Sequence, residues 1–378
     1  MADLFKPFNL SGMTLQNRVV MAPMTRSRAP RDIATETIAL YYAQRATAGL
    51  IVSEGTPISR EGQGYLFNPG IFTADQIAGW RLTTQSVHAV GGRIFAQLWH
   101  VGRVSHPSIQ ENAKAPVSAS SRLAEGATAY GYDDQGEPAL IPVTAPQQLT
   151  TEEVPRIVQD FAHAASNAID AGFDGVEIHG ANGYLFEQFL NPEVNDRRDL
   201  YAADTMDNRL RFTLEAVDAV IAKIGAERVG IRLSPYGQLF DMPHYDQIDE
   251  TYTALVKALG ERGLAYVHIM DQSGFAVADT IKTSGASVSD RIQQLLKVFR
   301  AALPRTALIL AGGMTRARAE RLIADGTIDL AGFGQPFISN PDLVARLRNG
   351  WALTEPDRGT YYGGGARGLI DYAPYAGA

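Results

Sequence analysis

A closed (β/α)8 barrel is the fold class that this 378-residue sequence predicts. Short apolar runs alternate with helical stretches eight times along the chain, the count a closed barrel requires. Glycines and isolated polar residues stand where those runs end, which is where a barrel gathers its functional groups. The competing fold is a doubly wound sheet, which often carries an early glycine fingerprint, and neither of the first two strands leads into one.

Residues 4–17 hold two apolar patches around Ser11-Gly12 and read as a small hairpin closing one end of the domain. The first strand is Arg18–Pro23, followed by a helix from Thr35 to Ala48 that Gly49 ends. Gly49–Gly55 is the second strand, and Thr73 opens the helix Ala74–Val90. Arg93–Trp99 is the third strand. Residues 100–149, rich in Pro, Ser, Gly and Asp, break the rhythm and read as an excursion with a small hairpin overhanging one end. Thr151 then caps a helix whose apolar stripe is Val154, Ile157, Val158, Phe161, Ala165 and Ile169. The fourth strand, Gly175–Ile178, runs into His179-Gly180-Ala181-Asn182-Gly183-Tyr184, and a polar loop leads on to the helix Arg209–Ile224. Val229–Pro235 and Tyr266–Met270 are strands five and six, separated by the helix Asp249–Arg262. A small-residue loop from about Asp271 to Ala286 precedes the helix Ser289–Leu303. Ala307–Gly313, the helix Arg316–Asp325, Leu330–Gly334 and a helix from about Pro341 to Arg348 complete the alternation.

The charge balance, 34 basic against 41 acidic residues, argues against nucleic acid or an anionic membrane as the main partner. No window is apolar for long enough to span a bilayer and no leader is evident, so a soluble cytoplasmic protein is expected. The absence of cysteine removes disulfides, thiolate metal sites and a cysteine nucleophile. The seven histidines show no metal-ligand spacing, so no metal is expected. No lysine ends a strand, which disfavours Schiff-base chemistry.

What collects at the strand ends is more specific. His179 and Asn182 can both donate hydrogen bonds and Tyr184 can give up a proton. Two donors with an acid nearby suit a carbonyl or nitro oxygen that gains charge, although polar residues also cap ordinary strand-to-helix loops. Gly312-Gly313 and Gly334 end the last two strands, where a barrel commonly binds phosphate; a tight turn would use the same glycines. Gln97 and Arg232 are polar groups inside apolar runs and need partners; with Thr25 they could edge a flat heteroaromatic ring. Trp99, two residues beyond Gln97, is placed at the rim. The sixth strand ends without an evident ligand group, at Asp271. Gly363–Gly368 matches a dinucleotide pattern but has too little chain after it for a βαβ unit.

Taken jointly, Asn17–Arg26, Ala96–His100, His179–Leu185, Arg232–Pro235, Phe337–Leu343 and Thr360–Gly365 give the chain a full-length resemblance to the Old Yellow Enzyme family. It resembles in particular the bacterial branch of N-ethylmaleimide, morphinone, pentaerythritol tetranitrate and glycerol trinitrate reductases. The resemblance implies one FMN-binding barrel domain over residues 1–378, with 100–149 as a capping excursion. FMN would be held non-covalently and reduced by NADPH or NADH. Pro23, Met24 and Gly55 would line its ring and Thr25 bond it, with Gln97 and Arg232 on the pyrimidine edge. Gly312, Gly313 and Gly334 would hold the phosphate. Gln335 follows Gly334 where relatives usually carry arginine, and Arg316 is expected to compensate. Tyr201–Asp204 also departs from the relatives' Tyr-Gly-Gly-Ser. His179 and Asn182 would bind the substrate oxygen, Tyr184 would donate the proton, and Trp99 and Tyr362 would shape the cavity.

The activity implied is ene-reduction of small activated alkenes (enones, maleimides, nitroalkenes and possibly nitrate esters) by a monomer or homodimer. Two alternatives stand beside it. One is a non-redox barrel enzyme acting on a phosphorylated substrate; the other is a flavin-binding protein without catalytic duty.

Overall fold

The structure, a computed structural model, describes residues 3–274 and 287–377. Eight parallel strands close into a barrel in sequence order: β1 (Val19–Met21), β2 (Leu50–Pro57), β3 (Ile94–Trp99), β4 (Gly175–Gly180), β5 (Val229–Leu233), β6 (Tyr266–Met270), β7 (Ala307–Ala311) and β8 (Leu330–Phe333). Around and above them lie α1 (Glu36–Ala43), α2 (Ala74–Ala89), α3 (Val154–Asp170), α4 (Leu185–Leu190), α5 (Met206–Ile224), α6 (Ile248–Arg262), α7 (Val288–Ala302), α8 (Arg316–Ala324), α9 (Gln335–Ser339) and α10 (Leu343–Asn349).

The two-residue period of each strand sorts its side chains into an outer and an inner set. Ala96, Leu98, Val176, Ile178, Ile231, Leu233, Val267, Ile269, Leu308 and Leu310 face the helices and join the main core. Val20, Leu50, Val52, Phe95, Tyr266, Ile309 and Leu330 form a separate apolar cluster with Leu10 and Leu15. The last two belong to the N-terminal hairpin, Phe8–Leu10 paired with Met13–Leu15, which closes the end where the strands begin. The opposite end of the barrel interior is therefore left to the polar residues of the strands.

Local signals explain the longer helices. Thr73 and Gln76 form a capping box at the start of α2. In α3 the stripe Val154, Ile157, Val158, Phe161 and Ala165 is buried, with Ile169 half-buried; full burial of a side chain such as Phe161 is worth roughly 1.5–3 kcal/mol.

Several expectations are corrected. Thr151 is not the cap of α3, which begins after Glu153 without a side-chain cap; the Thr151 hydroxyl donates instead to Asp199 Oδ2 at 2.5 Å. Helix α1 stops at Ala43, and the buried Arg45 turns back to donate to the carbonyls of Tyr41, Phe337 and Ile338. The polar loop after Tyr184 contains α4, and Gln335 opens a further short helix, α9. In the excursion, Thr128–Tyr132 pairs antiparallel with Pro138–Pro142, and Tyr130 bridges to Tyr65 beside the barrel mouth. Most of the expected small-residue loop, 275–286, lies outside the described residues. No helix among those described is long and apolar enough to cross a membrane.

Candidate active site

Register fixes the first layer of the site. Glu177 lies opposite Gln97 across β4 and β3, His179 opposite Arg232 across β4 and β5, and Arg232 opposite His268 across β5 and β6. All five are buried. The Gln97 amide donates to Glu177 Oε1 at 2.8 Å, and His268 Nδ1 lies 2.8 Å from Oε2. Burial pushes the Glu177 carboxyl up, but His268, Arg232 and Gln97 outweigh it and hold the group below its ordinary value. The His268 imidazole is itself lowered by burial, so a neutral ring donating Nδ1–H to a carboxylate describes the pair. Arg232 then supplies the compensating charge.

Among the described residues, Arg232 Nε, His268 Nε2 and His179 Nδ1 are buried without a hydrogen-bond partner. Three such atoms in one layer are costly unless a ligand satisfies them. Burial, then Arg232 and His268, drive the His179 imidazole well below its ordinary value, leaving a neutral ring with one N–H.

The turn after β4 carries the reacting groups. Asn182 adopts φ +61° and Gly183 φ +78°. Gln272 donates to Asn182 Oδ1 at 2.8 Å, which commits the carbonyl side of the amide and leaves its NH2 free to donate. Tyr184 is 6% exposed, with its ring 5.2 Å from that of His179 and 4.9 Å from that of Trp99. Its hydroxyl lies 3.3 Å from that of Tyr65. Burial, reinforced by Tyr65 and Tyr362, pushes the phenol well above 10.

Trp99 is not at the rim. It is 3% exposed, stacked on Tyr65 at 5.4 Å, and packed so closely over Gly55 that a Cβ there would meet its ring at 2.3 Å. Tyr362, by contrast, is 66% accessible, on a C-terminal strap that brings it near Tyr65 and Tyr184. Arg26 and Arg28 hold that strap: Arg26 Nη2 donates to Gly368 O at 2.7 Å and Arg28 Nε to Gly363 O at 2.5 Å. Gly363–Gly368 thus belongs to a strap of turns.

At the far side, Gly312 has φ +104° and a Cβ there would lie 2.0 Å from the Asp271 carbonyl oxygen. Gly313 has φ +53°, and a Cβ there would lie 3.6 Å from Arg318 Nη1. A Cβ at Gly334 would lie 3.7 Å from the Met24 sulfur, so the ends of β1 and β8 meet here with Pro23 and Thr25 half-buried alongside. Gln335 is exposed on the first turn of α9. Arg316 does not reach this cradle; it pairs with Glu320 at 2.7 Å and donates to Leu347 O. The guanidinium beside the glycines is that of Arg318, which donates to Gly312 O and to Asp271 Oδ2, each at 2.7 Å. Three unpartnered polar atoms, a glycine cradle and a cation fit a flat heteroaromatic ring bearing a phosphate.

Glu177, His268, Gln272, Arg318 and Tyr65 were not singled out from the sequence. Glu177 and His268 carried a usable signal, since each is a polar residue inside an apolar strand, and Glu177, two residues before His179, shares its inward face. The sixth strand contributes after all, through His268 and the Asp271–Arg318 pair.

The profile of the NADH:flavin oxidoreductase / NADH oxidase family matches residues 3–354. Among curated relatives, 12-oxophytodienoate reductase 1 of Oryza sativa subsp. japonica is 40% identical over 361 residues, spanning 95% of this chain and 89% of the relative. Flavin oxidoreductase hxnT of Emericella nidulans is 40% identical over 398 residues, spanning 99% and 97%. Among solved structures, morphinone reductase superposes with a TM-score of 0.92 at 43% identity, covering 99% of this chain and 96% of that one. The old yellow enzyme homologue from Zymomonas mobilis gives 0.89 at 37%, covering 99% and 100%. With the profile spanning nearly the whole chain and the barrel shared, this protein belongs to the NADH:flavin oxidoreductase / NADH oxidase family, in its Old Yellow Enzyme branch, and is a nicotinamide-dependent flavin enzyme.

Proposed function

We propose that the protein reduces activated C=C bonds of small enones, maleimides and nitroalkenes, with nitrate esters as a further class. The observation that carries this reading is the placing of His179, Asn182 and Tyr184 within one turn, above a layer of unpartnered buried polar atoms. When bound, FMN supplies the hydride chemistry between NAD(P)H and the alkene. Pro23, Met24, Thr25 and Gly55 would line its ring, and Gln97 and Arg232 would hold the pyrimidine edge. Gly312, Gly313 and Gly334 would cradle the phosphate, and Arg318 would provide the positive charge that neutral Gln335 does not.

The chain's own contribution to the reaction is polarisation and proton delivery. The His179 N–H and the Asn182 NH2 hold the substrate oxygen and stabilise the charge that develops on it, which makes the β-carbon electrophilic. Tyr184 Oη delivers the proton to the α-carbon. Trp99, buried beneath Tyr184 and Tyr65, fixes the floor of the cavity, while Tyr362 and the 128–142 hairpin overhang its entrance. The chain acts alone or as a homodimer and needs no nucleic acid, membrane or metal; a cytoplasmic location suits it.

Anaerobic NAD(P)H should bleach the yellow absorbance of the purified protein, and cyclohexenone should restore it with formation of cyclohexanone. Bleaching that only air reverses would reject alkene reduction and favour a flavin protein without this duty.

A further inference from the structure

Behind the His179–Tyr184 turn sits a buried acid that the reaction does not consume. Glu187, on α4, accepts the Gly183 N–H at Oε2 (2.5 Å) and the hydroxyls of Ser234 (2.7 Å) and Tyr252 (2.8 Å) at Oε1. Ser234 Oγ in turn accepts the Asn182 N–H at 2.7 Å. Both amides of the left-handed turn, at φ +61° and φ +78°, are thereby tied to one carboxyl group, directly or through one hydroxyl. No salt bridge reaches Glu187 among the described residues. The titratable groups facing it are the phenols of Tyr252 on α6 and Tyr245 just before α6, both raised by burial. An ionised carboxylate buried without a cation is expensive for a fold to keep.

We propose that Glu187 is the positioning residue of the oxygen-binding pair: its carboxylate locks the Asn182–Gly183 turn so that the Asn182 amide stays aimed beside His179. This rests on His179 and Asn182 being the donors to the substrate oxygen. Three hydrogen bonds converge on the group as acceptor, and a proton on it would set an O–H among those donors.

Burial raises the carboxyl to about 7, against the pull of Ser234, Gly183 and Tyr252. Ligand affinity therefore strengthens as pH rises through about 7. Fold stability moves the other way. The folded value lies above the unfolded one, so the stabilisation is complete below the unfolded pKa and is lost as pH rises through the folded one. A group kept only for stability would not show this opposition.

The test uses the FMN-loaded enzyme and cyclohexenone, which does not titrate, with affinity read from the flavin spectrum on either side of about pH 7. Glu187→Gln is expected to weaken binding about tenfold above that pH and to flatten the profile, while leaving Tm at the higher pH equal to or above the parent's. Glu54→Gln, which removes the other buried carboxyl raised to about 7, should keep the parent's profile. Parent-like affinity and profile in Glu187→Gln, or a fall in Tm alongside the affinity, overturns the proposal. Should Glu187→Gln not fold, the parent decides, since a flat affinity across this window also overturns it. His179→Ala separates the layers: if it loses affinity while Glu187→Gln does not, the oxygen-binding reading stands and the positioning role falls.

Discussion

Tyr184→Phe is expected to slow reoxidation of the reduced enzyme by an enone roughly a hundredfold or more, the range in which a positioned general acid acts. Reduction by NAD(P)H should stay near the parent's rate, because it needs no proton from this side chain. Burial and the neighbouring phenols push the Tyr184 hydroxyl well above 10, so it carries its proton across the whole neutral range. The alkene half-reaction should therefore show no loss from Tyr184 ionisation as pH rises through neutrality into the mildly alkaline range. Tyr65, with its hydroxyl 3.3 Å away and its own value also raised by burial, keeps its proton over the same range. Stopped-flow measurement of the two half-reactions decides the matter, and equal slowing of both would remove Tyr184 as the donor.

Arg318→Met should weaken FMN binding to the apoprotein roughly tenfold to a hundredfold, the value of one charge-assisted hydrogen bond of about 1.5–3 kcal/mol. Two charges change their surroundings at once. The glycine cradle would lose the guanidinium beside it, and Asp271, otherwise paired with Arg318 at 2.7 Å, would lose that partner. Ser273 still donates to that carboxylate, so the loop itself keeps part of its support. Adding Gln335→Arg to the Met variant should recover part of the affinity, since that position opens α9 directly after Gly334. Titration of apoprotein with FMN, followed by flavin fluorescence, reads the effect without any turnover. An unchanged dissociation constant in Arg318→Met would show that backbone N–H groups alone carry the phosphate.

The barrel was legible because its signal is redundant. Eight apolar runs, most of them ended by glycine or a polar residue, state the count and the polarity of the fold together. What escaped depends on distance. Helix α4 has no apolar stripe to detect, since all six of its residues are buried, and α9 spans only five residues with Pro336 near its start. Thr151 has the chemistry of a cap, but Asp199, 48 positions away, claims its hydroxyl. Glu177 and His268 are 91 positions apart and look like flaws in apolar strands until the register joins them. Arg316, the expected phosphate partner, and Arg318 stand two positions apart on α8. Only the helix phase separates them, turning the first to Glu320 and the second to the glycine cradle. Trp99 misled for a similar reason: spacing set it near the mouth, but the close approach of Gly55 draws the indole inward.

The proposal that a substrate oxygen sits between His179 and Asn182, with its ring over the flavin, is tested most directly by titrating the oxidised holoenzyme with a para-substituted phenol. A long-wavelength charge-transfer band should grow with saturable binding in the parent and be lost or strongly weakened in His179→Ala. The same band with the same affinity in both proteins would contradict it.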